Sequence, residues 1–283
     1  MGGKSPILEE TQKQASAIAK KLSILTDDVE FKIFIAMRYW KPFSSDTIPE
    51  VIDYKPDEII LVPLYPQFST TTTASSMDDF THKIQSYEYK GTIKSLGCYF
   101  LHDSFIKSHV DLIKQTLDKV KGHDYKILFS AHGLPISIIQ KGDPYEWQIC
   151  ETVKKIASIL NLKKEQYQIT YQSRVGPVKW LEPNTEHVIK NLARRGKNLV
   201  VVPISFVSEH SETLVELDIE YREIADAYKI DYYRVPALAD NEDFISCIAT
   251  NIINLMGAND KTITSDQFKR LCPANFSKCI CKG

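Results

Sequence analysis

Short apolar runs rich in β-forming residues alternate with longer amphipathic stretches along most of the 283 residues. This alternation is typical of an α/β fold whose strands are mostly parallel. Seven runs are predicted to be strands, the last of them the weakest: 31–37, 58–64, 93–99, 126–130, 167–172, 198–206 and 231–235. Helices are predicted near 9–25, 45–54, 70–87, 103–120, 146–160, 184–195, 211–228 and 241–256.

The second half of the chain is predicted to form its own layer of strands and helices. We place the boundary near Gly122, which divides the chain into residues 1–122 and 123–283. The final long helix is a candidate to cross back to the first half. An α/β half usually begins with a strand, and residues 1–8 contain none, so a segment upstream is expected to be missing.

Composition narrows the classes of function. A formal net charge of −1, with 43% hydrophobic and 25% charged residues, argues against disorder and against general attraction to nucleic acid. No apolar run approaches the roughly 20 residues that span a bilayer, and the start lacks a secretory signal, so we predict a cytoplasmic protein. The absence of Walker and G-x-G-x-x-G motifs disfavours nucleotide chemistry.

Three carboxylates recur every four residues after the apolar run 199–207, at Glu212, Glu216 and Glu220. On a helix they would stack on one face, where like charges cost roughly 0.2–0.5 kcal/mol per pair. A divalent cation would offset that repulsion, since oxygen and imidazole ligands at the end of a buried strand make a metal site. The alternative is a solvated helix face. Such a face normally has Lys or Arg interspersed, and none lies between His210 and Arg222.

Two histidines follow predicted strands, His132 after the run 127–131 and His210 after the run 199–207. Open α/β sheets bind their ligands at the carboxyl edge of the strands, so both side chains could face one cleft. Imidazole acts there as a metal ligand or proton acceptor, and Glu212 would tune either role. The alternative for each histidine is that it merely caps a loop.

Aromatic side chains, glycines and arginines are concentrated in predicted loops. They include residues 38–40 (RYW), 142–145 (GDPY), 171–177 (YQSRVGP) and 179–183 (KWLEP). Aromatic faces supply stacking area and arginine pairs with carboxylates, so this composition favours a flat, partly apolar ligand. The alternative is that Tyr171 and Trp180 are ordinary core residues.

Several motifs together resemble the ferrochelatase family over essentially the whole chain. The segments that carry the resemblance are 3–7 (GKSPI), 37–40 (MRYW), 64–69 (LYPQFS), 130–135 (SAHGLP), 171–177 with 180–181, and 208–214 (SEHSETL). The resemblance implies an enzyme that inserts ferrous iron into protoporphyrin IX to form protoheme. It also implies two similar doubly wound, Rossmann-like halves of the chelatase type, each with a parallel four-stranded sheet flanked by helices.

The resemblance also implies roles for individual residues. His132 matches the active-site histidine, which accepts pyrrole protons or binds the metal, and Glu212 matches the glutamate opposite it. His210, Glu216 and Glu220 match a polar line that conducts metal or protons. Positions near the porphyrin pocket are matched by Arg38, Tyr39, Tyr145, Trp180 and Phe206.

The chain also departs from the family pattern. Position 209 is Glu where many relatives have Asp, and Lys41 stands where histidine is common. The family normally has several dozen residues before Gly3, which include the first strand and part of the lip over the porphyrin. We therefore expect a truncated chain, with a non-catalytic porphyrin- or metal-binding protein, an inactive chelatase or a cobalt chelatase as alternatives.

Three of the six cysteines, Cys272, Cys279 and Cys281, lie in the last twelve residues. The tail resembles that of ferrochelatases with a [2Fe–2S] cluster, but three thiolates are one short of four. Cys247 is the candidate for the fourth, and free thiols are the alternative.

The resemblance implies porphyrin and ferrous iron as partners, and peripheral contact with a membrane through the lip. The oligomeric state and the choice between protoporphyrin and coproporphyrin stay open.

Overall fold

The computed structural model describes residues 3–120, 122, 124–258 and 263–281, and in this part of the chain seven strands form two parallel sheets. The predicted α/β fold with parallel strands is therefore confirmed. The strands are β1 Glu58–Leu61, β2 Thr92–Cys98, β3 Tyr125–His132, β4 Tyr167–Gln172, β5 Asn198–Pro203, β6 Tyr232–Arg234 and β7 Ile263–Ser265.

All eight predicted helical stretches contain helix. The α-helices are α1 Ile7–Leu25, α2 Ser44–Tyr54, α3 Ser75–Ile84, α4 Asp103–Leu117, α5 Ile136–Gln140, α6 Tyr145–Ile159, α7 Thr185–Ala193, α8 Tyr221–Ala227 and α9 Glu242–Met256. Two segments predicted as α-helix begin instead with a π-helix, π1 Thr70–Ala74 and π2 Glu212–Glu220, and 3₁₀ turns occupy Gln85–Tyr87 and Lys164–Gln166. None of the helices in the described residues has the length and apolar composition needed to cross a membrane.

The second sheet has four parallel strands, as the family resemblance implied, and their order is β4-β3-β5-β6. Strand β3 lies inside it, with Ser130 opposite Thr170 on one side and Pro203 on the other. Interior parallel strands are covered on both faces, and accordingly Leu128 and Phe129 are fully buried. The carboxyl end of β3 therefore delivers His132 to the ligand-binding edge of this sheet.

The first sheet has three strands among the described residues, in the order β1-β2-β7, so the prediction of four strands is wrong for this half. The predicted strand 31–37 makes no ladder and has a single bridge, from Met37 to Phe43. Phe31 and Ile33 pack on the main core while Phe34 packs on a smaller one. These contacts account for the apolar pattern without strand pairing.

The C-terminal part of the chain returns to the first sheet. Helix α9 packs against α1, α4 and β2, so the last long helix crosses back as the sequence indicated. Strand β7 then pairs with β2, with Ser95 opposite Ile263. With three residues, β7 is too short for its pattern to be recognised in the sequence. The boundary near Gly122 stays a prediction.

Candidate active site

His132 ends strand β3, and its ring has a defined orientation. Nδ1 lies 2.6 Å from the carbonyl oxygen of Gly133. Because a carbonyl only accepts hydrogen bonds, Nδ1 carries the proton, and in the neutral ring Nε2 is left with its lone pair. The side chain is 36% exposed. His132 therefore presents an accessible proton acceptor at the sheet edge.

Glu212 is the first residue of π2, and its Oε2 lies 3.6 Å from Nε2 of His132. Both atoms bear lone pairs, so a proton or a cation is the natural partner for the space between them. The Glu212 side chain is 39% exposed. The structure thus brings together the two residues that the sequence placed opposite each other.

Phe206 and His210 extend this pair. The Phe206 ring centroid is 6.3 Å from that of His132 and 5.1 Å from that of His210. The Glu212 N–H donates to His210 Nδ1 at 3.1 Å, so the proton of the neutral ring is on Nε2. Burial lowers the pKa of His210, against the opposing effect of Glu212 and Glu209. His210 is therefore neutral at neutral pH.

Both carboxylate oxygens of Glu216 accept two hydrogen bonds each. They accept hydrogen bonds from Gln172 Nε2 at 2.9 Å, Ser173 N at 2.8 Å, Ser173 Oγ at 2.6 Å and Tyr221 Oη at 2.7 Å. An ionised carboxylate has about four acceptor positions, and all four are used. These donors offset the like-charge repulsion for which the sequence suggested a cation.

Glu220 lies at the other end of π2, exposed in a surface hollow with Glu186 and Lys190. The three predicted carboxylates therefore form a row from the site to the surface and do not converge. Over the described ranges, no three His, Cys, Asp or Glu side chains are grouped so as to hold one metal ion. Their assignment as metal ligands stays a prediction.

A cavity of about 1730 Å³ opens between the two sheets. It exceeds the roughly 300–1,000 Å³ typical of pockets for small ligands. Eight of the predicted site residues line it: Arg38, Tyr39, His132, Tyr145, Trp180, Phe206, His210 and Glu212. Glu216 and Glu220 are outside its lining, so the row touches the cavity only through Glu212.

Tyr145 is joined to both sides of the cavity. Its hydroxyl donates to the carbonyl of His132 at 3.0 Å. Its N–H donates to Asp143 at 3.0 Å, and the same buried carboxylate accepts from Thr70 N at 2.7 Å and from Ser69 Oγ at 3.0 Å. Asp143 thus ties the start of π1 to the residue that supports His132.

Three residues that the sequence did not single out support this site. Ser205 Oγ accepts the His132 N–H at 2.9 Å. Gln172 accepts from Ser130 Oγ at 2.7 Å and donates to the Glu212 carbonyl at 3.0 Å. Tyr65 lines the cavity, and burial raises its pKa, with smaller contributions from Tyr39 and Glu212. The position of Gln172 at a strand end was the available clue.

The cysteine tail meets a fourth thiol, but it is Cys98 of β2. Hydrogen bonds link Cys272 to Cys279, Cys279 to Cys281 and Cys281 to Cys98. These bonds lower the pKa of Cys279 and raise the pKa of Cys272 and of Cys281, and burial adds to the increase for the latter two. Cys247 lies elsewhere, 3.7 Å from Asn251 Nδ2.

Comparison with known proteins identifies the family of this chain. The family model described as Ferrochelatase matches residues 1–255. The chain belongs to the ferrochelatase family. It is 50% identical to the ferrochelatase of Rickettsia felis, over 100% of this chain and 81% of that relative. It is 45% identical to that of Pelagibacter ubique, over 99% of this chain and 81% of the relative.

A solved structure shares the fold. SirB from Bacillus subtilis with Fe³⁺ superposes with a TM-score of 0.63 at 12% identity, covering 87% of this chain and 90% of that one. As a ferrochelatase family member the chain is a metal chelatase, with a porphyrin and ferrous iron as substrates.

Replacing Glu216 tests whether its hydrogen bonds hold π2 of this ferrochelatase family member. Glu216→Gln leaves one acceptor oxygen for four donors, so we expect a loss of about 1–3 kcal/mol in the free energy of unfolding. Glu220→Gln, a matched change on the exposed end of π2, should stay within about 0.5 kcal/mol of wild type. Denaturant unfolding measures both, and equal effects would contradict the anchoring role.

Proposed function

We propose that this chain inserts ferrous iron into protoporphyrin IX and so forms protoheme, the terminal step of protoheme synthesis. The pairing of His132 Nε2 with Glu212 Oε2 on the wall of a large cavity carries the proposal. Porphyrin metalation needs a proton acceptor and an anion next to one flat, apolar ligand, and the two groups meet that need in one place.

His132 has the role of base in this proposal. A porphyrin loses two N–H protons as the dication enters, so an acceptor close to the ring lowers the barrier. The lone pair of Nε2 is free because the bond from Nδ1 to Gly133 fixes the tautomer. Glu212 stabilises the imidazolium that forms, and neutral His210, whose Nε2 carries the proton, is a hydrogen-bond donor beside this pair.

The carboxylate row supplies the metal route. Glu220 meets solvent, Glu216 lies between, and Glu212 faces the cavity with His132. Anions along this line lower the cost of stripping water from ferrous iron. Since its oxygens stay hydrogen bonded, Glu216 contributes charge, and Glu212 makes the contact with the metal at the porphyrin while Nε2 of His132 takes the proton.

The remaining residues hold the macrocycle. Tyr145, Trp180 and Phe206 offer aromatic or apolar surface on the cavity wall. Arg38 is positioned by a bond from Nε to Ser75 Oγ at 2.9 Å, and its charge is available to carboxylates on the rim of a porphyrin. Tyr39 stacks near this guanidinium, 5.0 Å from ring centroid to Cζ.

His132→Ala tests the assigned base. We expect turnover with excess protoporphyrin and ferrous iron to fall by about 10²–10⁴, the usual contribution of a general base. Porphyrin binding, followed by tryptophan fluorescence quenching, should change little because the cavity walls are intact.

His187→Ala on the exposed face of α7 is the matched control and should keep wild-type turnover. Undiminished turnover in His132→Ala would refute the assignment. Wild-type protein that stops at one equivalent of metal would instead indicate a carrier.

We further propose that Cys98, Cys272, Cys279 and Cys281 hold a [2Fe–2S] cluster. Such a cluster takes four thiolates, and these four sulfurs form a continuous chain of hydrogen bonds in a mostly buried pocket. Gln148 Nε2 donates to Cys272 Sγ at 3.2 Å, which is the kind of hydrogen bond that stabilises ligating sulfur. A bound cluster would add covalent ties between β2 and the tail.

Anaerobic purification tests the cluster. We expect visible absorption bands and two irons per chain in wild type, and their loss in Cys98→Ala because one ligand is removed. Cys150→Ala, which changes a half-buried cysteine that takes no part in the hydrogen-bonded thiol chain, should keep both. Wild-type protein without iron or visible bands would exclude the cluster.

Three further features are proposed on the sequence alone. They are the division into residues 1–122 and 123–283, a cytoplasmic location, and peripheral contact with a membrane. Exposed Tyr39 and Trp40 at the cavity, 66% and 64% accessible, are compatible with such contact.

A further inference from the structure

Arg234, the last residue of β6, bonds to two carboxylates at once. Its Nε and Nη2 donate to the two oxygens of Asp218 at 2.7 and 2.6 Å, and its Nη1 donates to Glu209 Oε1 at 2.5 Å. The arginine side chain is 12% exposed. A bidentate guanidinium pair fixes direction as well as distance, so these bonds define the positions of both acids.

The two acids lie on either side of the segment that carries His210 and Glu212. Glu209 directly precedes His210, and Asp218 lies within π2, six residues after Glu212. Neither acid lines the cavity, whereas His210 and Glu212 do. Burial has the largest single effect and raises the pKa of Glu209, but the charge of Arg234 and the hydrogen bonds from Thr213, Arg234 and Ala237 together outweigh it, so the net pKa is lowered.

The loop before π2 is held from other directions as well. Glu209 Oε1 also accepts the Ala237 N–H at 2.9 Å. Gln14 of α1, which is fully buried, donates to the carbonyl of Val207 at 2.9 Å and accepts from Ser208 Oγ at 2.9 Å. These contacts fix the start of the loop. Thr213 Oγ accepts the His210 N–H at 3.0 Å and ties the loop to the first turn of π2, and Arg234 ties it to Asp218 further along.

We propose that Arg234 is a positioning residue for metal insertion, acting by clamping Glu209 and Asp218 so that Glu212 stays within reach of His132. The inference rests on the proposed function. Loss of the clamp lets π2 shift relative to β3, and a displacement near 1 Å at reacting groups lowers rates by about 10²-fold. Arg38, Tyr145 and Trp180, which hold the macrocycle in the proposed function, lie on other elements of the cavity wall, so substrate binding is preserved.

Arg234→Met and Asp218→Asn test the clamp in the 283-residue chain. We expect kcat for ferrous iron insertion to fall about 10–100-fold in both, with the KM for protoporphyrin changed less than about 2-fold. Arg234→Lys keeps the charge but lacks the fork, and should fall between wild type and Arg234→Met. Asp218→Asn removes the charge and one of the two acceptor oxygens from the π2 arm alone, and decides the matter if Arg234→Met does not fold.

Arg222→Met is the matched control, because Arg222 contacts the same strand through the Tyr232 carbonyl at 3.2 Å and touches neither acid. It should keep wild-type kcat. Hydrogen exchange supplies a readout that does not depend on activity: amides of residues 207–220 should exchange faster in the clamp variants and unchanged in the control.

Wild-type kcat and wild-type exchange in Asp218→Asn would overturn the proposal, as would porphyrin affinity that falls in parallel with kcat. An inactive wild-type chain would count against the proposed function, while the exchange data would still decide whether the clamp exists.

Discussion

The four hydrogen bonds to Glu216 hold together the parts of the structure on which the site depends. Two come from Ser173, one from Gln172 at the end of β4, and one from Tyr221 at the start of α8. A π-helix alone is a rare conformation that often occurs at functional sites. Because β4 neighbours β3 in the sheet, these bonds set π2 relative to the strand that ends in His132. The 3.6 Å approach of Glu212 to His132 follows from that register.

A second set of contacts connects β3, the strand that ends in His132, to the opposite wall of the cavity. Asp143 receives hydrogen bonds from the start of π1, and Tyr145, two residues on, reaches back to the His132 carbonyl. The tail adds to this support, since Lys278 N–H donates to the Gly142 carbonyl at 3.1 Å. The tail that carries Cys272, Cys279 and Cys281 is therefore hydrogen bonded to the segment that contains Asp143 and Tyr145.

Much of this could be predicted from the sequence. The second sheet and the sites of His132, His210 and Glu212 follow from apolar strands that end in polar residues at one edge. The row at 212, 216 and 220 was visible as well. The contacts that stabilise the row were not visible, because three of the four hydrogen bonds to Glu216 come from Gln172 and Ser173, 44 and 43 residues away along the chain.

Other elements depended on long-range contacts that a local pattern does not contain. Apolar side chains alternate along residues 31–37 as they would in a strand. In the structure they pack against two separate hydrophobic cores without pairing to a neighbouring strand. The third strand of the first sheet comes from three residues near the end of the chain, and the fourth thiol from β2. In each case tertiary packing decided the outcome over local propensity.

The central claim is that His132 and Glu212 act as one unit in metal insertion. A double-mutant cycle on kcat with His132→Ala, Glu212→Gln and the double variant tests it most directly, since groups that act together are strongly non-additive. We predict that the double variant is no more than about 3-fold slower than the slower single variant. Multiplicative losses would show that the two residues act independently and would contradict this account.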